Sequence, residues 1–259
     1  MKRIYNLLIV TAIMFTVSCS KESGSVDNVN MDGGKGGSMA RFCIIGDKLC
    51  TVDQNSLKLF DISEPSNPIF FSDRTQKLDF GIETIFPMDS LIFIGSQTGM
   101  YIFYISKYGF FQHLSEIWHI RSCDPVVAQE DYAYVTLNSN NTGCGRNTNA
   151  LQIYDISDLN NPEWKKEIRG FLSPMGLGID GDRLFVCDRG LKIYNITDRL
   201  NPIQIGDLHS AGIHDVSDAY DVIPLNGTLI LVASSGIYQL DYSGESLKFL
   251  SKINVTNKN

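Results

Sequence analysis

One short sequence pattern recurs five times along the chain, at intervals of 43, 51, 40 and 46 residues. Each copy is a strand-like run that ends in an aliphatic residue or Tyr followed by Ser or Thr. The copies are LKLFDIS from Leu57, MYIFYIS from Met100, LQIYDIS from Leu151, LKIYNIT from Leu191 and IYQLDYS from Ile237. A unit of this size that contains only strands cannot bury its apolar faces alone, so neighbouring units must stack against each other.

Each repeat divides into four strands, which we call A to D. In the fourth repeat they cover residues 175–180, 184–188, 191–197 and 202–208, with Gly181-Asp182 between A and B and Asn201-Pro202 before D. These are turn-forming residues at the places where hairpins need them. The repeats run from residue 39 to 255. They predict an all-β fold, a five-bladed β-propeller of four-stranded antiparallel blades.

Two features decide how the blades are arranged. A solenoid of the same units is the alternative architecture, but the absence of capping segments favours a ring. The A-to-D order is complete in the first and last repeats, so no strand is exchanged to close the ring. We therefore expect apolar packing between blades 5 and 1 to close it.

The first 38 residues differ from the rest. Lys2 and Arg3 precede an apolar run over 4–17, which is short for a membrane span of roughly 20 residues, so residues 1–18 are predicted to be an export signal. Ser18-Cys19 resembles a bacterial lipobox, and that resemblance implies that Cys19 carries a lipid; an ordinary secreted protein is the alternative. Residues 19–38 are predicted to be a lipidated flexible tether, and 39–259 the propeller.

This organisation predicts a protein of the bacterial outer membrane, anchored by lipid on the periplasmic or the cell-surface side. Without Lys2 and Arg3 the mature chain has 20 basic and 29 acidic residues, hence a net charge of −9. Nucleic-acid binding needs clustered Lys and Arg, so a nucleic-acid partner is not expected. Contact with the membrane is expected through the N-terminal lipid only, because the sequence offers no polybasic patch.

The strand-C pattern with its following Asn-Pro resembles the LVIVD repeat family of bacterial β-propellers. The segment Ser122-Cys123-Asp124-Pro125-Val126, followed by Asp131-Tyr132-Ala133-Tyr134-Val135, is similar to the pattern of that family in bacterial lipoproteins. The resemblance covers residues 39–255 and implies the fold and export from the cytoplasm. It implies no catalytic residues.

Export permits disulfides. Cys123 begins strand A of blade 3 and Cys144 lies in the long B–C loop of the same blade. These two places share one end of a propeller, so we predict a Cys123–Cys144 disulfide; two free thiols are the alternative. Cys43 and Cys50 flank the Gly46-Asp47 turn symmetrically and are predicted to be a pair of small buried residues. No Cys-x-x-Cys occurs, and no metal site is predicted.

Strand-A alignment places Arg41, Glu83 and Asp221 at one equivalent position near the axis, with Asp124 one residue earlier. Such charges form either a ligand site or a ring in which they satisfy one another. The B–C loops and the D–A connections share this end. One D–A connection holds His209 and His214, which is either a weak metal-binding pattern or a polar loop. The predicted partner-binding face comprises Arg41, Glu83, Arg121, Asp124, Arg146, Arg189, His214 and Asp221.

The sequence contains no Gly-x-Ser-x-Gly, phosphate-binding loop or His-Glu-x-x-His motif, and no cofactor is expected. We therefore predict a non-catalytic cell-envelope lipoprotein that binds a protein or glycan partner, because loops on a rigid scaffold commonly carry recognition. The alternative is a glycoside hydrolase or lyase. It would require two carboxylates about 5–10 Å apart, for which Glu83 and Asp221 are the candidates.

Overall fold

A computed structural model describes residues 36–118, 125–139 and 149–255. The chain divides into two units, 1–30 and 31–259, and all of the described residues belong to the second. The regular structure of its described residues is strands, apart from a short 3-10 turn at Ser72–Arg74. None of the helices within the described ranges is long and apolar enough to cross a membrane.

The described strands form five antiparallel sheets in chain order. Blade 1 contains β1 (Phe42–Ile45), β2 (Lys48–Val52), β3 (Ser56–Asp61), β4 (Ile69–Phe70) and β5 (Gln76–Lys77). Blade 2 contains β6 (Ile82–Met88), β7 (Leu91–Ser96), β8 (Gly99–Ile105) and β9 (Phe111–Trp118). Blade 3 contains β10 (Val126–Gln129), β11 (Tyr132–Leu137), β12 (Ala150–Asp155) and β13 (Glu163–Arg169). Blade 4 contains β14 (Pro174–Asp180), β15 (Arg183–Asp188), β16 (Leu191–Asn195) and β17 (Ile203–Asp207), and blade 5 contains β18 (Ala219–Leu225), β19 (Thr228–Ala233), β20 (Gly236–Asp241) and β21 (Lys248–Asn254).

The prediction of a five-bladed β-propeller with four-stranded antiparallel blades is confirmed. The A strands are β1, β6, β10, β14 and β18, and the repeated sequence pattern forms the C strands. In blade 1 the D strand is interrupted, because β4 and β5 pair with different parts of β3 on either side of the 3-10 turn. This irregularity is local and leaves the A-to-D order intact.

Two-residue turns join the A and B strands in all five blades. In each turn the first residue has a left-handed backbone, with φ of 60° at Gly46, 53° at Asp89, 55° at Glu130, 55° at Gly181 and 47° at Asn226. Gly adopts this conformation readily and Asn and Asp do so more often than most residues, whereas others do so at a cost. In blade 3, therefore, Glu130 occupies a position that backbone preference alone would give to Gly, Asn or Asp.

The core lies between neighbouring blades. Four hydrophobic clusters join blade 1 to 2, blade 2 to 3, blade 3 to 4 and blade 4 to 5. Fully buried residues such as Leu57, Phe93, Tyr134 and Phe185 occupy them. Each cluster draws on two blades, which is why a single blade could not be stable alone.

The expected apolar closure between blades 5 and 1 is wrong for the part of the chain that the structure describes. No hydrophobic cluster of described residues joins these two blades. Phe42 of β1, on the face opposite Cys43, is 57% exposed, and Ile253 of β21 is 63% exposed. Hydrogen bonds from Ser38 and Met39 to Asp221 of β18 connect the start of the propeller to blade 5 instead.

The two cysteines of the first hairpin behave as predicted. Cys43 and Cys50 are directly paired in the β1–β2 register, and both are buried free thiols. The hydrogen bond with Cys50 and burial raise the pKa of the Cys43 thiol well above its ordinary value. Cys187 of β15 is also a buried free thiol, in the cluster between blades 4 and 5.

Candidate functional site

Residues 36–40, which we call the axial segment, lie at the propeller axis, at the end where the A strands begin. Ser38 is completely buried, and its Oγ accepts a hydrogen bond from the N–H of Leu177 at 2.7 Å. The carbonyl of Ala40 accepts the N–H of Ile85 at 2.9 Å. The last three residues of the predicted tether, 36–38, thus lie within the propeller and contact the inner strands of several blades.

Asp221 is the charged residue at the centre of these contacts. Its Oδ1 accepts the N–H of Val222 at 3.0 Å and the N–H of Met39 at 3.4 Å, and lies 3.5 Å from the Ser38 hydroxyl. The side chain is 8% exposed. Burial raises the pKa of Asp221 to about 6, although the hydrogen bonds from Val222, Met39 and Ser38 oppose this shift. Asp221 is thus an internal carboxyl whose pKa is raised well above that of an exposed aspartate.

Two glycines make room for this carboxyl. A Cβ added at Gly37 would lie 1.9 Å from Asp221 Oδ2, and one added at Gly176 would lie 2.5 Å from Asp221 Oδ1 and 2.6 Å from the carbonyl oxygen of Tyr220. Contacts this short are not compatible with a real side chain. Glycine at both positions is therefore a consequence of the close approach of three backbone segments around Asp221.

Arg41 and Glu83 lie near each other at the same end. Glu83 is half-buried and accepts a hydrogen bond from Gln97 Nε2 at 3.1 Å. Burial raises the pKa of the Glu83 carboxyl, while the hydrogen bond from Gln97 and the positive charge of Arg41 act in the opposite direction. This pair gives the end of the propeller an exposed cation beside a partly shielded carboxylate.

Strand register separates Glu83 from Asp221. In blade 2 the register shifts at Glu83, because Ile82 pairs with Ser96 and Thr84 with Gly95. In blade 5 the corresponding shift falls at Tyr220, before Asp221. The residue equivalent to Asp221 is therefore the buried Thr84, and Glu83 occupies the bulge. The bulge falls at the equivalent position in both strands, Glu83 in blade 2 and Tyr220 in blade 5, so the sequence alignment of Glu83 with Asp221 is wrong by one residue.

Two carboxylates fix the loops around Arg189 and His214. Asp188 accepts the N–H groups of Leu172 and Ser173 at 2.9 and 2.6 Å and pairs with Lys192 at 2.6 Å. It thereby ties the B–C turn of blade 4 to the D–A connection before it. Arg189 follows it in this turn and is exposed, with φ of 50°.

The long connection between blades 4 and 5 is braced in a similar way. Asp218 accepts hydrogen bonds from the N–H and the hydroxyl of Ser235, at 2.8 and 3.0 Å. His214 is exposed, and its Nδ1 lies 2.8 Å from Nδ1 of His209. Within the described residues, no group of three or more His, Cys, Asp and Glu side chains is arranged to hold a metal ion.

The structure thus places five residues of the predicted face, Arg41, Glu83, Arg189, His214 and Asp221, on elements of one end of the propeller. We call the exposed part of this end the loop face, formed by Arg41, Glu83, Arg189 and His214. Asp221 lies beneath it. The other predicted residues of the face, Arg121, Asp124 and Arg146, lie outside the described residues, as do Cys19, Cys123 and Cys144.

A cavity at the opposite end was not predicted. It has a volume of about 540 Å³ and is lined by the later parts of the five A strands and by residues of the A–B turns. Asp89, Glu130 and Asp131 belong to these turns. Its inner end reaches Gly36. The sequence does show that several A–B turns are acidic, but only the ring arrangement brings these turns together around a cavity.

Comparisons with known proteins agree with this architecture. The LVIVD repeat family matches residues 36–73, which include the axial segment and most of blade 1. A search of curated proteins finds no match.

Among solved structures, a protein from Lactobacillus plantarum is similar, with 12% identity and a TM-score of 0.58 over 81% of this chain and 69% of that chain. A functionally unknown protein from Desulfotomaculum acetoxidans has 11% identity and a TM-score of 0.61 over 80% and 66%. Apo AztD from Citrobacter koseri has 12% identity and a TM-score of 0.58 over 81% and 60%. The matched region thus spans 60–69% of the length of these structures, and at such identities the similarity concerns the fold. The LVIVD match to the first repeat and the five blades together support the LVIVD repeat family of β-propellers as the family that this chain resembles.

Proposed function

We propose that the protein is a non-catalytic binding module of the bacterial cell envelope, which captures a protein or glycan partner on the loop face. In this proposal a lipid on Cys19 anchors the chain to the outer membrane. The lipobox-like Ser18-Cys19 after a short apolar run supports the anchor. The propeller supplies a rigid scaffold of the kind on which recognition loops are commonly presented.

One observation carries the assignment of the binding face. Asp188 and Asp218 tie B–C turns to D–A connections through short hydrogen bonds, and the same loops expose Arg189 and His214. Loops that are already ordered lose little conformational entropy when a partner binds. Exposed polar side chains on such loops suit a polar protein surface or a glycan.

The positions of the two candidate carboxylates argue against the glycan-active enzyme alternative. Asp221 is enclosed by Gly37, Gly176 and Ser38, and Glu83 lies at a different register position. A pair of carboxylates flanking a bound sugar needs access for the substrate and for water. Hydrolase or lyase activity that depends on Glu83 and Asp221 stays a prediction of the sequence alone.

The proposal is tested by identifying the partner and then weakening the loop face. Partners are crosslinked to the protein in intact cells, purified and identified, and the dissociation constant of the purified pair is measured. We expect Arg41→Ala and Arg189→Ala together to weaken binding about tenfold, because a few exposed contacts dominate such interfaces. Lys248→Ala is the control, since Lys248 is an exposed cation of the outer strand β21. Equal affinity of the double variant and the control would overturn the assignment of this face.

A further inference from the structure

The cavity between the A–B turns has the size and the lining of a small-molecule site. Its volume of about 540 Å³ is within the roughly 300–1,000 Å³ that ligand pockets usually occupy. Most of the lining is apolar and comes from all five blades: Ile44, Phe86, Ala128, Ile179, Ile223 and Pro224. A ligand with an apolar body would therefore remove apolar surface from water on every side.

The inner end of the cavity is closed by the axial segment. Gly36 is among the lining residues, and beyond it Ser38 is fully buried and bonded to Leu177 and Asp221. The lining residues thus lie on the A–B turn side of Ser38, away from the loop face. A ligand in it would not touch Arg189 or His214.

The charged groups of the lining all have the same sign. Asp89, Glu130 and Asp131 line the cavity, and no Lys, Arg or His among the described residues does so. Glu130 is paired with Arg199 at 3.0 Å. Asp89 and Asp131 form no ion pair with any residue in the described ranges. Within the described residues, these two exposed carboxylates of the pocket lining thus have no cationic partner.

We propose that this pocket binds a small organic cation, an ammonium group attached to an apolar body. The ammonium group lies at the opening and is attracted by Asp89 and Asp131, and the apolar body packs against Ile44, Phe86 and Ile179. Anions are repelled by the same carboxylates. The inference is independent of the proposed partner-binding function, because it concerns the other end of the propeller.

Calorimetric titration with three probes of one shape tests this proposal. We expect 4-phenylbutylammonium to bind, 4-phenylbutanol to bind at least threefold more weakly, and 4-phenylbutyrate to give no binding. Raising the NaCl concentration should weaken the binding of the ammonium probe only, because salt screens exposed charges. Equal binding of all three probes, or no binding of the ammonium probe, would overturn the proposal.

Variants then locate the site. Asp89→Asn and Asp131→Asn together should weaken the binding of the ammonium probe about three- to tenfold, to the level of the alcohol, since an exposed charge pair contributes only modestly to affinity. Folding is not at risk, because Asn tolerates the left-handed backbone at position 89. Asp182→Asn is the matched control. Asp131 and Asp182 hold the same A–B turn position, and both carbonyls accept an N–H at the end of strand C, but Asp182 does not line the cavity.

The two outcomes of the variant experiment are distinct. If the double variant binds the ammonium probe more weakly and Asp182→Asn binds it with unchanged affinity, the result supports binding in this pocket. Unchanged affinity in the double variant, or an equal loss in the control, refutes it. Because neither variant alters the loop face, failure here leaves the partner-binding proposal untouched.

Discussion

Replacing Asp221 by Asn should change how the stability of the propeller depends on pH. The pKa of Asp221 is about 6 in the folded chain, against an ordinary value of 3.8. The folded state therefore holds its proton more tightly than the unfolded state. The stability that this preference contributes is complete below about pH 3.8 and is lost as the pH rises through about 6. A shift of this size corresponds to about 3 kcal/mol.

The assay is urea unfolding followed by circular dichroism at pH 4.5, 5.5, 6.5 and 7.5. Linkage predicts that the wild type loses about 2 kcal/mol from the titration of Asp221 across this range, whereas Asp221→Asn has no carboxyl to titrate. The stability of the variant relative to the wild type should therefore rise by about 2 kcal/mol from pH 4.5 to 7.5. Asp215→Asn, which alters an exposed carboxyl, should show no such trend. A constant difference between Asp221→Asn and wild type would refute the reasoning.

Three further predictions concern packing, redox state and the anchor. Gly176→Ala should destabilise the propeller by about 1–3 kcal/mol in urea unfolding, because the added Cβ would lie 2.5–2.6 Å from Asp221 and the Tyr220 carbonyl. Gly206→Ala is the control: its Cβ would have no neighbour closer than 3.7 Å, so stability should change by less than about 1 kcal/mol. Protein exported to an oxidising compartment should contain a Cys123–Cys144 disulfide. Two cysteines should then resist alkylation in denaturant until a reductant is added, and alkylation of all thiols without reductant would contradict this disulfide. Cys19→Ala should move the protein from the membrane to the soluble fraction and abolish metabolic labelling with a fatty acid, and unchanged membrane association would exclude a lipid on Cys19.

Much of the fold could be predicted from the sequence because every blade repeats the same local information. The C-strand pattern marks each blade, and turn residues such as Gly181-Asp182 mark the hairpins. The direct pairing of Cys43 with Cys50 followed from their symmetrical distances to a two-residue turn. These features depend on neighbours in the sequence, and the apolar alternation of strands reports them directly.

The arrangement at the axis could not be predicted in the same way. Gly37 and Ser38 have the composition of a flexible tether, and only the approach of β14 and β18 shows that their small size is required there. The strand pairing makes Glu83 equivalent to Tyr220 and not to Asp221. The cavity, with Asp89 and Asp131 in its lining, arises from the ring itself. Each of these features joins residues of different blades, which no local pattern records.

Site-specific photocrosslinking in intact cells tests most directly the claim that the loop face captures the partner. A photoreactive residue is introduced at His214 on the loop face or at Asp182 at the opposite end; both positions are exposed. We expect a crosslinked partner from position 214 that disappears when Arg41 and Arg189 are replaced by Ala, and none from position 182. The same partner crosslinked from position 182 and not from 214 would contradict it.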